Sequence, residues 1–193
     1  MFLDIAFGLI AALGVSTALQ IPLTWDLMIL GPLFALSPDI DFLIHLGRGG
    51  SSKNDDRHRE ILHLPLIFIP IGMLGIAFLM NPVWALLFGI CALGHFIHDS
   101  IGIGWGVQWL FPVTSDHYSF FYIYQPKHKE PHPKKVVYRW KNAEIEKLAE
   151  LYGDPDWIRN IYLQFHPYAL FEYAALIASV IEVFVYRHYL IIV

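Results

Sequence analysis

Asp39, Asp41, His58, His63, His95 and Asp99 are the residues of this 193-residue chain whose types and spacing could do chemistry. Carboxylates and imidazoles together are ligands for a divalent cation. A mixed nitrogen and oxygen set suits Zn²⁺, Mn²⁺ or Fe²⁺ better than Mg²⁺, which prefers oxygen and water. The six fall into three pairs. His95 and Asp99, four apart, share a helix face about 40° from one another. His58 and His63, five apart, suit one ligand in a loop and a second in the first turn of the next helix. Asp39 and Asp41 would diverge by about 200° on a regular helix. However, Ser37-Pro38-Asp39 is a helix-start signal, and a break there lets both aim inward. Beside them, Arg59 is a candidate for clamping a phosphate bidentately, and Glu60 for acting as general base.

The acids gain their meaning from their surroundings. Apolar residues make up 56% of the chain and charged ones 16%, with a mean hydropathy of +0.48. Soluble domains usually hold roughly 45–50% and about 25%. That balance excludes a disordered chain and an ordinary soluble enzyme. A net charge of −4 provides no global basic field, which excludes a nucleic-acid binder. Cys91, the single cysteine, cannot make an internal disulfide. An aspartate at the centre of a spanning helix costs about 2.5–3.5 kcal/mol on insertion scales. Asp39, Asp41 and Asp99 would together cost on the order of 8–10 kcal/mol at full depth. No Lys or Arg lies within the apolar runs to offset them, and a bound cation would.

The elements that must position these pairs are apolar. Residues 5–25 carry no charge, which is long enough for a span of about 20 residues. Met1-Phe2-Leu3-Asp4 supplies no positive flank, so the stretch reads as an uncleaved span rather than a signal peptide. Residues 61–98 are uncharged as well, and Asn81-Pro82 divides them into a helical hairpin with spans near 63–80 and 83–102. Residues 168–187 make another span. Segment 26–46 reads as a broken span, with a second short helix from Pro38 to about Leu46. The 47–60 loop holds four Lys and Arg residues and the 113–167 segment eight. If 26–46 crosses, both basic segments lie on one side, so the positive-inside rule favours five spans with a cytoplasmic N-terminus. In that topology the three pairs meet at one depth on the cytoplasmic side.

The expected fold is therefore an all-α integral membrane protein with about five transmembrane helices, the second one broken, and a small cytoplasmic α/β insertion. Its parts are a membrane domain over 1–112, a polar insertion over 113–167, and a C-terminal transmembrane helix over 168–193. Within the insertion, Tyr118–Tyr124 and Val136–Trp140 are β-prone and could pair as a hairpin. Ile145, Leu148 and Leu151 recur at helical spacing. Asp154-Pro155 starts a further short helix carrying Trp157, Ile158, Ile161, Tyr162 and Phe165, a composition suited to the headgroup layer. Gly102-x-Gly104-x-Gly106 follows no strand and reads as a turn at the interface, not a nucleotide fingerprint. His98 is a further ligand candidate beside Asp99. His45, His117 and His166 read as structural, and the 127–135 run reads as an ordinary loop.

Ser37-Pro38-Asp39-Ile40-Asp41, His58-Arg59-x3-His63, Gly94-His95-x3-Asp99 and Trp105-Gly106-Val107 with Leu110-Phe111-Pro112 resemble a bacterial and archaeal family of membrane-bound metal-dependent hydrolases. The resemblance spans about residues 1–112 in order and spacing. It implies a multi-pass protein of the cytoplasmic membrane whose Asp and His residues above are the metal ligands. Leu62 and Leu64 stand where the family has Thr and Ser beside the histidine, which alters the support around His63 rather than the ligand. The expectation is a hydrolase that holds one or two divalent ions and acts near the cytoplasmic headgroup layer on a phospholipid or other phosphoester. A metal-ion transporter or metal sensor is the alternative from another class.

Overall fold

The computed structural model describes residues 1–47, 62–126, 129 and 134–190. In chain order they form α1 (Phe2–Ala18), α2 (Trp25–Ala35), a 3-10 turn (Ser37–Asp39), α3 (Ile40–Gly47), α4 (Pro65–Leu79) and α5 (Pro82–Asp99). Strands β1 (His117–Phe120) and β2 (Val137–Trp140) follow, then α6 (Ile145–Tyr152), a π-helical turn (Ile158–Leu163) and α7 (Pro167–Leu190).

Polar residues placed between apolar runs set the helix ends. Thr24 caps α2, accepting the Leu27 N–H at 3.4 Å. Asn81 accepts the N–H groups of Val83 and Trp84 at 2.9 and 3.3 Å, with Pro82 in the first helical position. The Asn-Pro pair thus separates α4 from α5, as its turn chemistry predicts. His166 accepts the Tyr168 N–H at 3.2 Å and starts α7. α1 ends earlier than its uncharged sequence does, because Gln20 takes a left-handed backbone (φ 53°) and Pro22 lies just beyond.

Two compact units share these elements. The first comprises 1–37, 69–95 and 165–193. Its apolar centre gathers Leu9, Ala12, Leu27, Met28, Leu87 and Val183. α1 crosses α2 with Gly8 against Gly31, where a Cβ on either residue would collide with the other's backbone. The second unit comprises 38–68 and 96–164. β1 and β2 pair antiparallel, with His117 opposite Trp140 and Phe120 opposite Val137. Tyr138 stacks on Trp140, and Trp105 meets Trp140 edge-on. Gly106, at φ 78°, passes so close to the Tyr118 backbone that no side chain fits there. Tyr124 donates to Asp154 at 2.9 Å, and burial together with that carboxylate holds its phenol above the ordinary range.

Among the described residues, two helices are long and apolar enough to cross a membrane, Pro82–Asp99 and Pro167–His188. α1, α2 and α4 are apolar but shorter, at 17, 11 and 15 residues. The 26–46 segment is broken where expected, since the Ser37–Asp39 turn separates α2 from α3. The segment after Asp154 is helical, with its own phase. It forms a π-helical turn that buries Ile161 completely, while Ile158, Leu163 and Phe165 are exposed. Aromatic content alone did not reveal which face turns inward.

Candidate metal centre

The break after α2 is what brings the first two acids into use. Ser37 Oγ donates to the Phe34 carbonyl at 2.7 Å, closing α2 before the chain tightens into the 3-10 turn. Asp39 ends that turn and Asp41 lies in the first turn of α3. His63 sits two residues ahead of α4, and Asp99 is the last residue of α5. Three separate stretches of backbone, around Asp39–Asp41, His63 and Asp99, assemble this group.

His63 is its centre, 1% exposed. Its two ring nitrogens meet different carboxylates. Nδ1 is 3.0 Å from Asp41 Oδ2, and the Leu62 N–H reaches the same oxygen at 3.4 Å. Nε2 is 3.1 Å from Asp99 Oδ2 and 3.7 Å from Asp39 Oδ1. The Phe96 ring lies edge-on to the imidazole at 6.0 Å, and Phe68 packs on Phe96 at 5.8 Å, so apolar walls hold the ring plane.

Asp39, His63 and Asp99 each offer one ligand atom, and these lie within 4.8 Å of one another. Two carboxylate charges at that separation repel by roughly 3–4 kcal/mol at an effective dielectric of about 20. A divalent cation turns that repulsion into attraction. Asp41 Oδ1 is buried with no hydrogen-bond partner among the described residues, a further acceptor facing the same need. Nitrogen and carboxylate oxygen are the donor set of Zn²⁺, Mn²⁺ and Fe²⁺ sites, so the residues present fit such an ion. The group could hold a metal.

His95 lies one turn before Asp99 on α5, on the same helix face. It is 1% exposed, and its Nδ1 is 3.3 Å from Asp4 Oδ1. Asp4 is itself 2% exposed, in the first turn of α1. Sequence alone gives Asp4 no role at the site. Its signal was a lone acid at the head of an uncharged helix, where an ionisable group needs a named partner. Glu172 on α7 is a second buried acid that sequence spacing does not connect to α1. It is wholly buried and accepts the N–H groups of Phe2 and Leu3 at 3.1 and 3.3 Å.

The other candidates sort as follows. His58, Arg59 and Glu60 lie outside the described residues, as does the side chain of His45. His98 is half-buried and does not belong to the converging group. His117 is buried among Gln108, Asn142 and the Gly106 carbonyl, a packed structural histidine.

Apolar helices broken by polar turns, with acids and imidazoles gathered at their ends, define a helical membrane protein with a candidate metal centre. A family model described as "YdjM inner membrane protein" matches residues 3–181, and the chain belongs to that family. It is accordingly a protein of the inner, cytoplasmic membrane, surrounded by lipid. No curated protein and no solved structure matches the chain.

Proposed function

We propose that this protein is a multi-pass membrane metallohydrolase acting near the cytoplasmic headgroup layer. The carrying observation is the convergence of the Asp39 and Asp99 carboxylates on His63 Nε2. In this reading Asp39, His63, Asp99 and His95 hold the ion, His95 joining through its helix phase with Asp99. Asp41 orients His63 from the opposite side of the ring, a role its position on Nδ1 supports better than direct ligation. His58 remains a proposed further ligand, with Arg59 as a phosphate clamp and Glu60 as general base.

When bound, a divalent ion in such a set supplies Lewis acidity and an acidified water as nucleophile near neutral pH. The protein's own residues supply orientation. The Asp41–His63 pair fixes which ring nitrogen is offered, and the Phe96 ring, itself packed on Phe68, lies edge-on to the imidazole. Five passes with a cytoplasmic N-terminus would bring the 47–60 and 113–167 basic segments to the same side, beside anionic headgroups. That arrangement favours a phospholipid or other phosphoester substrate.

The test uses purified protein loaded with Zn²⁺ or Mn²⁺ and offered phospholipid vesicles and soluble phosphoesters. Metal-dependent hydrolysis that disappears in Asp99→Asn supports the proposal. A metal transporter is the second reading, favoured by the broken 26–46 segment. Metal uptake into proteoliposomes without hydrolysis of any substrate would replace the hydrolase with that reading.

A further inference from the structure

We infer that Asp4 is a positioning residue for His95, holding its Nδ1 so that Nε2 is the nitrogen offered to a metal. The inference rests on the metal centre proposed above and extends it to α1, a helix that contributes no ligand. His95 Nδ1 and Asp4 Oδ1 are 3.3 Å apart, and both residues are almost wholly buried. A neutral imidazole has one N–H, and a carboxylate beside one nitrogen draws the proton there, leaving the lone pair on the other. Metal-bound histidines are commonly oriented in this way by a carboxylate.

Two further observations support this assignment. At His63 an aspartate, Asp41, likewise lies on Nδ1, there hydrogen-bonded at 3.0 Å, whereas Asp4 meets His95 Nδ1 as an ion-pair contact at 3.3 Å. Two histidines, one on α5 and one just ahead of α4, thus each have an aspartate beside the same ring nitrogen. The start of α1 is also held in place, because Glu172 accepts the Phe2 and Leu3 N–H groups and fixes the turn from which Asp4 projects. A simpler role for Asp4 is as a first-turn acid complementing the helix dipole. Asp4 Oδ2 also pairs with the Met1 ammonium at 2.9 Å, which leaves Oδ1 to face the imidazole.

The experiment measures Zn²⁺ affinity of the full chain in detergent, by competition with a chromophoric chelator, in a double-mutant cycle. Asp4→Asn is expected to weaken Zn²⁺ binding about 10–100-fold in the wild-type background. In a His95→Ala background the same change is expected to have no further effect, because Asp4 acts through that ring. Equal losses in both backgrounds, or unchanged affinity in the first, overturn the inference while leaving the metal centre standing. Wild-type protein that binds no Zn²⁺ overturns the metal centre as well. A second measurement needs no mutation: ¹⁵N spectra of histidine-labelled protein should show His95 as the Nδ1–H tautomer with Zn²⁺ bound. Zn²⁺ on Nδ1, or an Nε2–H tautomer, refutes it.

Discussion

Replacing Asp41 by Asn separates two roles that the sequence alone treats as one. By residue type and spacing Asp41 is a metal ligand like Asp39. In the structure its Oδ2 lies on His63 Nδ1, across the ring from the Nε2 that faces Asp39 and Asp99. Asn keeps the size and an acceptor oxygen, so the ring stays in place. What it loses is the charge. A hydrogen bond to a charged group contributes about 1.5–3 kcal/mol, against about 0.5–1.5 for a neutral pair. The imidazole becomes a poorer donor to a metal, and loss of such a partner typically costs 10–100-fold in affinity. That corresponds to about 1.4–2.8 kcal/mol. Chelator competition with Zn²⁺ in detergent reads this directly, with Asp99→Asn measured alongside as the loss of a ligand. A smaller loss is expected for Asp41→Asn than for Asp99→Asn. Equal or greater loss would make Asp41 a direct ligand, and unchanged affinity would leave the pair without a role at the centre.

Three other outcomes are expected. Gly31→Ala places a methyl against the Gly8 backbone at the α1–α2 crossing, and should destabilise the protein by about 1–3 kcal/mol, read as a lower unfolding temperature in detergent. Cysteine-accessibility labelling should place 47–60 and 127–141 on the same, cytoplasmic face, and labelling from opposite faces would remove the five-span topology. Leu163 and Phe165 are exposed beside the buried Ile161, so the double change to Ser should lower hydrolysis of bilayer-embedded substrate while sparing soluble short-chain substrate. Equal loss on both substrates would mean misfolding, and loss on neither would reduce the segment to an anchor.

Much of the helical framework was legible because long uncharged runs and an Asn-Pro break are local signals. α5 and α7 fall close to their expected spans, and the β1–β2 pair and α6 fall almost where their patterns indicate. The Ser37–Asp39 break was legible from its Ser-Pro-Asp chemistry. What sequence could not reveal depends on contacts between distant positions. Asp4 and His95 are 91 residues apart and share no motif, so only folding shows that they meet. The difference between Asp39 and Asp41 is likewise invisible in spacing. It depends on which nitrogen of His63 each one faces, and therefore on how the turn before α3 aims them. Ile161 shows the same limit, because a π-helical turn shifts the inward face away from regular helical phase.

The most direct test of the central claim is the metal content of the purified protein after equilibration with Zn²⁺, Mn²⁺ or anaerobic Fe²⁺ and removal of free ion. The convergence of Asp39 and Asp99 on His63 predicts at least one tightly held ion per chain in wild type, lost in the Asp39→Asn/Asp99→Asn double variant. Wild-type protein that retains no more metal than the folded double variant would contradict the account.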